Sequence, residues 1–181
     1  MVTIAIETSE DRDAVETLFD LSFAPGRELL SSYRLRDGVT PIAPLCLVAR
    51  DEFDVIVAAI RFWPVEIAPE REVGPPHAAL LLGPIAVHPT RQGEGIAAGL
   101  IIESLEKAED LGWRRVLLVG DEPYYRRFGF RRALAEGIEF PPPTNPNRVL
   151  AKALVPGAMD GVAGTIAPMP LERVTVKRLT R

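Results

Sequence analysis

The alternation of apolar and polar positions predicts a chain in which strands and helices follow one another. Val2 to Glu7 alternates with a period of two, as a half-buried strand does. Thr8 or Ser9 then caps an amphipathic helix, and a second short helix is predicted from about Arg27 to Tyr33. The chain therefore begins with a strand followed by two helices.

The most apolar segment, Ala78 to Val87, is apolar on both faces, which is typical of a strand at the centre of a sheet. Gly83-Pro84 interrupts it. Because proline donates no ladder hydrogen bond, we expect the strand to be bulged or splayed at that point. An amphipathic helix from about Gly93 to Leu111 leads to a buried strand, Arg115 to Val119. This strand–helix–strand unit predicts a right-handed crossover between two parallel strands.

The remaining elements complete a mixed sheet that is hairpin-like early and parallel at its centre. They are predicted strands at Leu45–Ala49, Val55–Phe62 and Arg148–Val155, a frayed strand end followed by an exposed loop at Pro64–Pro76, a short helix at Glu122–Phe128 leading into a strand, and tail strands near Val162–Ile166 and Arg173–Val176. The predicted order is β-α-α-β-β-β-α-β-α-β-β. This order places helices on both faces of the sheet.

Composition narrows the class of protein. The 181 residues are 47% hydrophobic and 25% charged, as expected for one globular domain with a good-sized core. No apolar run reaches the roughly 18 residues of a membrane span, and the N-terminus lacks an export signal. The single cysteine, Cys46, excludes an internal disulfide, fits a reducing cytoplasm and is predicted to be a core thiol rather than a nucleophile.

Charged residues argue against two further classes. The net charge is −4, and no basic patch with interleaved aromatic residues is present, so a nucleic-acid binder is not predicted. We interpret the pairs Arg126-Arg127 and Arg131-Arg132 as solvated surface. His77 and His88 are far apart in sequence and have no cysteine cluster near them, so no metal site is predicted.

The loop between the central strand and its helix carries Gly93 and Gly95. Backbone N–H groups converge at a helix N-terminus, the helix dipole favours an anion, and glycine lets a phosphate approach closely. A Walker loop needs a lysine and a hydroxyl residue directly after its last glycine, whereas Ile96 and Ala97 follow Gly95 here. The loop therefore predicts a phosphate site of another kind.

The dinucleotide-binding fingerprint is an alternative interpretation of the same loop. Ala98 fits its third small position, and Asp121 ends the next strand, where that fingerprint has an acidic residue. The fingerprint should open the first βαβ unit of a domain. This loop lies in the middle of the chain after several strands, which disfavours that interpretation.

Two motifs carry a resemblance to a known family. Gln92-x-x-Gly95-x-Ala97 resembles the Gln/Arg-x-x-Gly-x-Gly/Ala motif of the GCN5-related N-acetyltransferases, the GNAT family. Many members have glycine at the position of Ala97, and alanine is an accepted variant. The segment 118–130 is similar to a bacterial subgroup of predicted acetyltransferases with a YYxRFGF motif, which also carries the run 83–87. The two motifs are correctly spaced and lie in the right elements, so together they are specific.

The resemblance covers roughly Val2 to Val155 and implies an α/β (α+β) fold. The expected fold is a GNAT-like mixed, mostly antiparallel central sheet with a V-shaped splay at the central strand and helices on both faces. The resemblance implies an N-acetyltransferase domain over residues 1–155 and a C-terminal extension, residues 156–181, that packs on the same domain.

The resemblance also implies acetyl-CoA as a co-substrate, with no metal. The pyrophosphate would lie on the N–H groups of the glycine loop, the pantetheine arm would pair with the splayed strand, and an aromatic ring would lie along the arm. The implied cofactor-binding residues are Ile85, Ala86, Val87, Arg91, Gln92, Gly93, Glu94, Gly95, Ile96, Ala97 and Phe128.

Acetyl transfer to an amine releases a thiolate that needs a proton. The resemblance places Tyr125 in that role as general acid, and the tyrosine pKa of about 10 is close enough to the thiol pKa of about 8.5 for the purpose. Some members of the family place a glutamate on the central strand as general base, but 79–87 contains no ionisable residue here. The base is therefore unassigned. The candidates are Asp121, Glu122, His77 and His88.

The expected function is transfer of an acetyl group to a primary amine of a small molecule or peptide by direct attack. The alternative is a non-catalytic acyl-CoA-binding or sensing module on the same fold. The acceptor should be recognised by the loops Pro25–Pro44, Pro64–Pro76 and Pro141–Pro146. We expect a cytoplasmic protein that binds neither nucleic acid nor a membrane, and we leave open whether it forms a homodimer.

Overall fold

The structure is a computed structural model, and it describes residues 1–23, 26–27, 30–70 and 74–174. The strands are β1 (Thr3–Ile6), β2 (Leu47–Arg50), β3 (Ile56–Ala68), β4 (His77–Val87), β5 (Arg115–Val119), β6 (Ile138–Glu139), β7 (Val149–Ala153) and β8 (Gly164–Pro168). The helices are α1 (Arg12–Ser22), α2 (Ser31–Arg34), α3 (Ile96–Asp110) and α4 (Glu122–Tyr125). No helix in the described ranges is long and apolar enough to cross a membrane.

The described strands form one sheet of eight in the order β1-β2-β3-β4-β5-β7, with β8 pairing with both β3 and β6. Most neighbours are antiparallel, while β4–β5 and β6–β8 are parallel. The predicted mixed, mostly antiparallel sheet is therefore confirmed. The parallel crossover through α3 is confirmed as well.

Helices cover both faces of this sheet. The alternation of side chains along a strand sends Leu47 to one face and Val48 to the other. Leu47 belongs to the apolar cluster that contains Leu100 of α3, whereas Val48 belongs to the cluster that contains Phe19 of α1. The sheet is thus the middle of three layers, as predicted.

A capping box fixes the start of the segment that leads into α1. The N–H and hydroxyl of Thr8 donate to Asp11 Oδ2 at 2.8 and 3.0 Å, and Arg50 forms an ion pair with the same carboxylate. These contacts lower the pKa of Asp11, chiefly through the backbone hydrogen bond from Thr8. Thr8 rather than Ser9 is therefore the N-cap of the 3-10 turn Ser9–Asp11, whereas the N-cap of α1 itself is Asp11.

Strand β3 is longer than the sequence predicts. The predicted strand ends at Phe62, and only a frayed strand end is expected from Pro64, whereas β3 continues as a paired strand to Ala68. The carbonyls of Phe62 and Pro64 point to the same edge of β3. The carbonyl of Phe62 accepts a hydrogen bond from the N–H of Ile42, and that of Pro64 accepts one from the N–H of Met169. On that edge the pairing with β2 ends at Ile60 and the pairing with β8 begins at Val65. Proline is tolerated because it falls in the gap between two neighbours.

The C-terminal segment joins the sheet through β8, which pairs with the second half of β3. The predicted strand near Val162–Ile166 is confirmed with a shift of two residues. The predicted strand at Arg173–Val176 is wrong where it can be judged, because Leu171–Arg173 forms a 3-10 turn; residues 175–181 lie outside the described residues. Arg115 reinforces the segment by donating to the carbonyl of Ala158 at 2.8 Å.

The sheet splays at the predicted place. Strands β4 and β5 pair only at Leu80–Val116 and Leu81–Leu117 among the described residues. The register between β3 and β4 shifts directly beyond this point, opposite Gly83-Pro84, and β4 then continues to Val87 beside β3. A V-shaped opening is left between β4 and β5.

Candidate active site

A cavity of about 680 Å³ fills this V, and we call it the central cavity. Its walls come from β4, the end of β5, α4, the α2 segment and the segment before β7. The lining residues are Phe23, Leu30, Ser32, Tyr33, Arg36, Leu81, Leu82, Gly83, Pro84, Ile85, Leu118, Val119, Gly120, Asp121, Tyr124, Tyr125, Pro143, Thr144, Asn145 and Arg148.

Main-chain groups of β4 face the opening. The N–H of His88 donates to Val57 of β3 at 2.8 Å, so the groups of His88 and Ala86 point toward β3. Because alternate residues of an antiparallel strand point in opposite directions, the N–H and C=O groups of Ile85 and Val87 point into the V. The main-chain groups of Ala86 do not point into the V, and its side chain packs in the apolar cluster that contains Phe19 of α1.

The glycine loop follows directly. Gly93 and Gly95 have φ angles of +85° and +80°, and Gly95 is the N-cap of α3. In the described part of the chain, the N–H groups of residues 93–95 donate to no other backbone group. Gln92 folds back and donates from Nε2 to the carbonyl of Val87 at 3.4 Å. The loop therefore offers a set of unpaired donors beside a helix N-terminus.

A second cavity of about 410 Å³ lies over this loop, and we call it the loop cavity. Tyr124 borders both cavities, so the two are neighbours along one groove. The residues that line the loop cavity are Val87, Arg91, Gln92, Gly93, Gly95, Ile96, Ala97, Ala98, Tyr124 and Arg127.

Two arginines border the loop cavity. Arg91 is bound by Glu94, with Nε to Oε1 at 2.7 Å, and lies 3.8 Å from a carboxylate oxygen of Asp51. This hydrogen bond lowers the pKa of Glu94, which itself does not line the cavity. Arg127 has its guanidinium carbon 4.1 Å from the ring centroid of Tyr124. Arg91 is thus neutralised by carboxylates, while the charge of Arg127 is held over an aromatic ring.

Arg127 was interpreted from the sequence as solvated surface, and its place at the loop cavity was missed. The sequence indicates this position only through the spacing of three residues between Tyr124 and Arg127. Residues three apart on a helical turn share a face, and a guanidinium can lie over an aromatic ring there.

Tyr125 lies at the end of α4 with its ring edge-on to Tyr124 and Phe130, at centroid distances of 4.9 and 6.0 Å. Gly120 makes room for it, because a Cβ atom at that position would lie 2.4 Å from Cε2 of the tyrosine. Burial raises the pKa of Tyr125 to about 12, with smaller contributions from Tyr124 and Asp121. The phenol is therefore protonated throughout the neutral range.

Phe128 is buried in the main apolar cluster and borders neither cavity. Its ring lies 5.7 Å from that of Tyr124 and 6.5 Å from that of Tyr125. The structure thus places it behind the two tyrosines rather than in the open groove.

Of the four candidate bases, Asp121 borders the central cavity, where it accepts a hydrogen bond from Arg148 at 3.1 Å. Glu122 is held by Arg126 at 3.3 Å, outside both cavities. His77 begins β4 at the far end of the strand, and His88 is bound to Thr90 at 2.8 Å.

Two of the three predicted acceptor loops reach the central cavity. The segment 25–44 contributes Tyr33 and Arg36 among others, and 141–146 contributes Asn145. The described residues of 64–76 contribute none. A third cavity of about 320 Å³, which we call the arginine cavity, adjoins at Pro84. Its lining residues are Glu16, Arg27, Tyr33, Arg36, Asp37, Arg61, Trp63 and Pro84.

Cys46 is buried, as predicted for a core thiol. Burial raises its pKa to about 12, and its Sγ lies 3.5 Å from the carbonyl of Ile42. A thiol that stays protonated is a poor nucleophile. Within the described ranges, no group of three or more His, Cys, Asp or Glu side chains could hold a metal ion.

The family model of the acetyltransferase (GNAT) domain matches residues 43–132, which contain the splayed strand, the glycine loop and the tyrosine motif. The chain belongs to the GNAT acyltransferase family. The resemblance seen in the sequence is therefore confirmed.

Full-length relatives within the GNAT family agree with this assignment. The uncharacterized N-acetyltransferase YhbS of Escherichia coli K12 is 28% identical over 166 residues, which span 90% of this chain and 93% of YhbS. The crystal structure of E. coli YhbS in complex with CoA has a TM-score of 0.77 and 26% identity, covering 93% and 89% of the two chains. A GNAT family acetyltransferase from Brucella melitensis, in complex with acetyl-CoA, has a TM-score of 0.66 and 28% identity, covering 93% and 96%.

Proposed function

We propose that this chain transfers the acetyl group of acetyl-CoA to a primary amine of a small molecule or peptide by direct attack, with Tyr125 as general acid. One observation carries the proposal. Main-chain groups of β4 that point into the V of the sheet, the glycine loop and a protonated tyrosine border a single groove.

Acetyl-CoA would lie along this groove. Its pyrophosphate would accept hydrogen bonds from the loop N–H groups, with Arg91, Gln92 and Arg127 beside it. The two amides of the pantetheine arm would pair with Ile85 and Val87 as an added strand does. The CoA and acetyl-CoA complexes of the relatives support acetyl-CoA as the donor.

The reaction then needs three events. The amine nitrogen attacks the thioester carbonyl carbon, and a strand N–H stabilises the resulting oxyanion. The C–S bond breaks as Tyr125 donates its proton to the leaving sulfur. The nitrogen loses its extra proton to water or to Asp121, the candidate base that borders the central cavity, and Tyr125 is reprotonated from solvent.

The alternative, a non-catalytic acyl-CoA-binding module, is favoured by one observation. The described part of the central cavity has no carboxylate on β4, and Asp121 is already held by Arg148. Such a module would bind CoA but release none from acetyl-CoA with any amine. An assay of free CoA across a broad panel of amines therefore separates the two functions.

Tyr125→Phe tests the mechanism. We expect kcat to fall about 100-fold, which is the lower range for loss of a general acid, while the Kd for acetyl-CoA changes less than about threefold. Steady-state kinetics and calorimetric titration measure these two quantities. An unchanged kcat would remove Tyr125 from the mechanism without removing the enzyme.

The pH dependence of kcat in the wild-type enzyme is a second test of Tyr125 as the general acid. A group whose folded pKa is raised stays protonated to higher pH, so a tyrosine with a pKa of about 12 keeps its proton at pH 10. The wild-type kcat should not decline between pH 8 and 10. A decline with an apparent pKa of 10 or lower would argue for a different acid.

We also propose that residues 156–181 belong to the same domain as 1–155 and that the enzyme acts in the cytoplasm. The pairing of β8 with β3 and the hydrogen bond from Arg115 to Ala158 support the first statement. The free thiol of Cys46 fits a reducing compartment and supports the second.

A further inference from the structure

Three arginines gather where the central cavity meets the arginine cavity, and two of them are neutralised. Arg61 donates to Glu7 at 2.5 and 2.9 Å and to Glu16 at 2.5 Å. Arg27 donates to Glu16 at 2.6 Å and to Asp20 at 2.7 Å. The carboxylates of this cluster are therefore already engaged by Arg27 and Arg61.

The third arginine, Arg36, forms no ion pair with any described residue. Its Nε and Nη1 atoms are hidden from solvent and have no hydrogen-bond partner in the described part of the chain. Asp37 borders the arginine cavity as well, but it lies outside ion-pairing distance of Arg36. Burial of part of the side chain lowers the pKa of Arg36, and no described carboxylate contacts its guanidinium to offset this cost.

Two aromatic rings hold Arg36 in place. The guanidinium carbon lies 3.8 Å from the ring centroid of Tyr33 and 5.5 Å from that of Trp63. Both rings are themselves tethered, because Tyr33 Oη accepts from Arg27 at 2.9 Å and Trp63 Nε1 donates to the carbonyl of Gly83 at 2.8 Å. The cation is thus fixed before any ligand binds, which lowers the entropic cost of binding an anion.

The position of Arg36 relates this cation to the acceptor. Arg36 borders both cavities, and its Nη2 lies 3.6 Å from where a Cβ atom of Gly83 would be. Gly83 precedes Ile85 by two residues, about 7 Å along a strand, on the side away from the glycine loop. An α-amino acid together with one hydrogen bond spans about that distance.

We propose that Arg36 binds a carboxylate of the acceptor, so that the substrate is an amino acid or another small amine carrying a carboxylate close to the reacting nitrogen. This inference rests on the proposed function for the position of the thioester. Cationic acceptors such as polyamines are disfavoured, because the guanidinium of Arg36 would repel them.

The test compares each amino acid with its primary amide as acceptors. The amide has the larger fraction of unprotonated, reactive amine at neutral pH, because replacing the carboxylate by an amide lowers the pKa of the amine. A preference for the acid must therefore come from the protein. We expect kcat/KM for the best amino acid to exceed that of its amide by about tenfold or more, since a charge-assisted hydrogen bond is lost in the amide.

Arg36→Gln should remove this preference. The variant should lose about ten- to a hundredfold in kcat/KM for the amino acid and less than about threefold for the amide. Arg114→Gln, which changes an exposed arginine away from the cavities, is the matched control and should keep the preference. Equal losses for acid and amide in Arg36→Gln, or a wild-type enzyme that favours amides, would overturn the proposal.

A binding experiment separates this proposal from the proposed function. Amino acids are titrated calorimetrically into the complex of the protein with CoA, in which no reaction occurs. Tighter binding of an acid than of its amide, lost in Arg36→Gln, supports the carboxylate site even if no acceptor is acetylated. If no acid binds more tightly than its amide, the carboxylate site is wrong, whatever the outcome of the turnover assays.

Discussion

At one end the groove presents main-chain N–H groups between Gly93 and Ala97, and at the other end it presents side chains. The first end is made by consecutive residues of a single strand–loop–helix connection. The second end brings together Glu16, Arg36 and Trp63, which come from different elements. The main-chain end suits a ligand shared by a whole family, whereas the side-chain end can change from member to member without altering the fold.

Gly120→Ala tests the middle of the groove, where Tyr125 lies. Of the glycine and arginine changes along the groove, it should have the largest effect on the enzyme's kinetic and binding constants. A Cβ atom would lie 2.4 Å from the ring of Tyr125 and would displace it, so we expect kcat to fall about 100-fold with little change in the Kd for acetyl-CoA. Stopped-time assays of free CoA and calorimetry measure the two constants.

The double variant Gly120→Ala with Tyr125→Phe provides the check on Gly120→Ala. If both changes act through one phenol, their losses in kcat do not add. Additive losses would show that Gly120 acts by a route independent of Tyr125.

Gly95→Ala tests the main-chain end and should have an intermediate effect. The Cβ atom meets nothing within 4 Å, so the change acts through the φ angle of +80° and through the approach of the ligand. We expect stability to fall by about 1 kcal/mol and the affinity for CoA to fall about tenfold.

Gly161→Ala is the matched control for the loop. It has a φ angle of +68° and equally open space, but it lies in the C-terminal segment. It should show the same loss of stability, measured by urea unfolding, with no loss of CoA affinity. Equal losses of affinity in both variants would mean that the loop does not contact the ligand.

Arg127→Gln should have the smallest effect, because an exposed charge is well screened by solvent. We expect the Kd for CoA to rise about three- to fivefold at low salt and the difference to shrink at high salt. Arg126→Gln is the neighbouring control, since that arginine pairs with Glu122 and borders neither cavity. Salt-independent losses, or equal losses in both variants, would contradict a phosphate contact at Arg127.

The contrast between the two ends also explains what could be predicted from the sequence. The splay at Gly83-Pro84 and the loop at Gly93 and Gly95 are local signals, because each feature is caused by residues next to one another in the chain. The motif predicts the position of Tyr125, which the structure places at the edge of the central cavity, and Gly120 is the reason that its ring fits there.

The other end could not be predicted in the same way. The proposed role of Arg36 depends on its lack of a carboxylate partner, which in turn depends on Glu16 pairing with both Arg27 and Arg61. No local sequence pattern predicts which charged residues from distant parts of the chain form ion pairs with one another. The sequence indicates only a frayed strand end beyond Pro64 for a related reason, because β8, the strand that pairs with β3 there, is about 100 residues away in sequence.

The change of neighbour at Pro64 has a mechanical consequence. The pairing of β3 moves from β2 to β8, the register of β4 shifts and the β4–β5 pairing ends, all within a few residues of one level of the sheet. At this level only β3 and β4 are continuous among the described strands, so these two strands alone join the two half-sheets. The groove lies between the half-sheets, so the path of these two strands determines how far apart its walls stand.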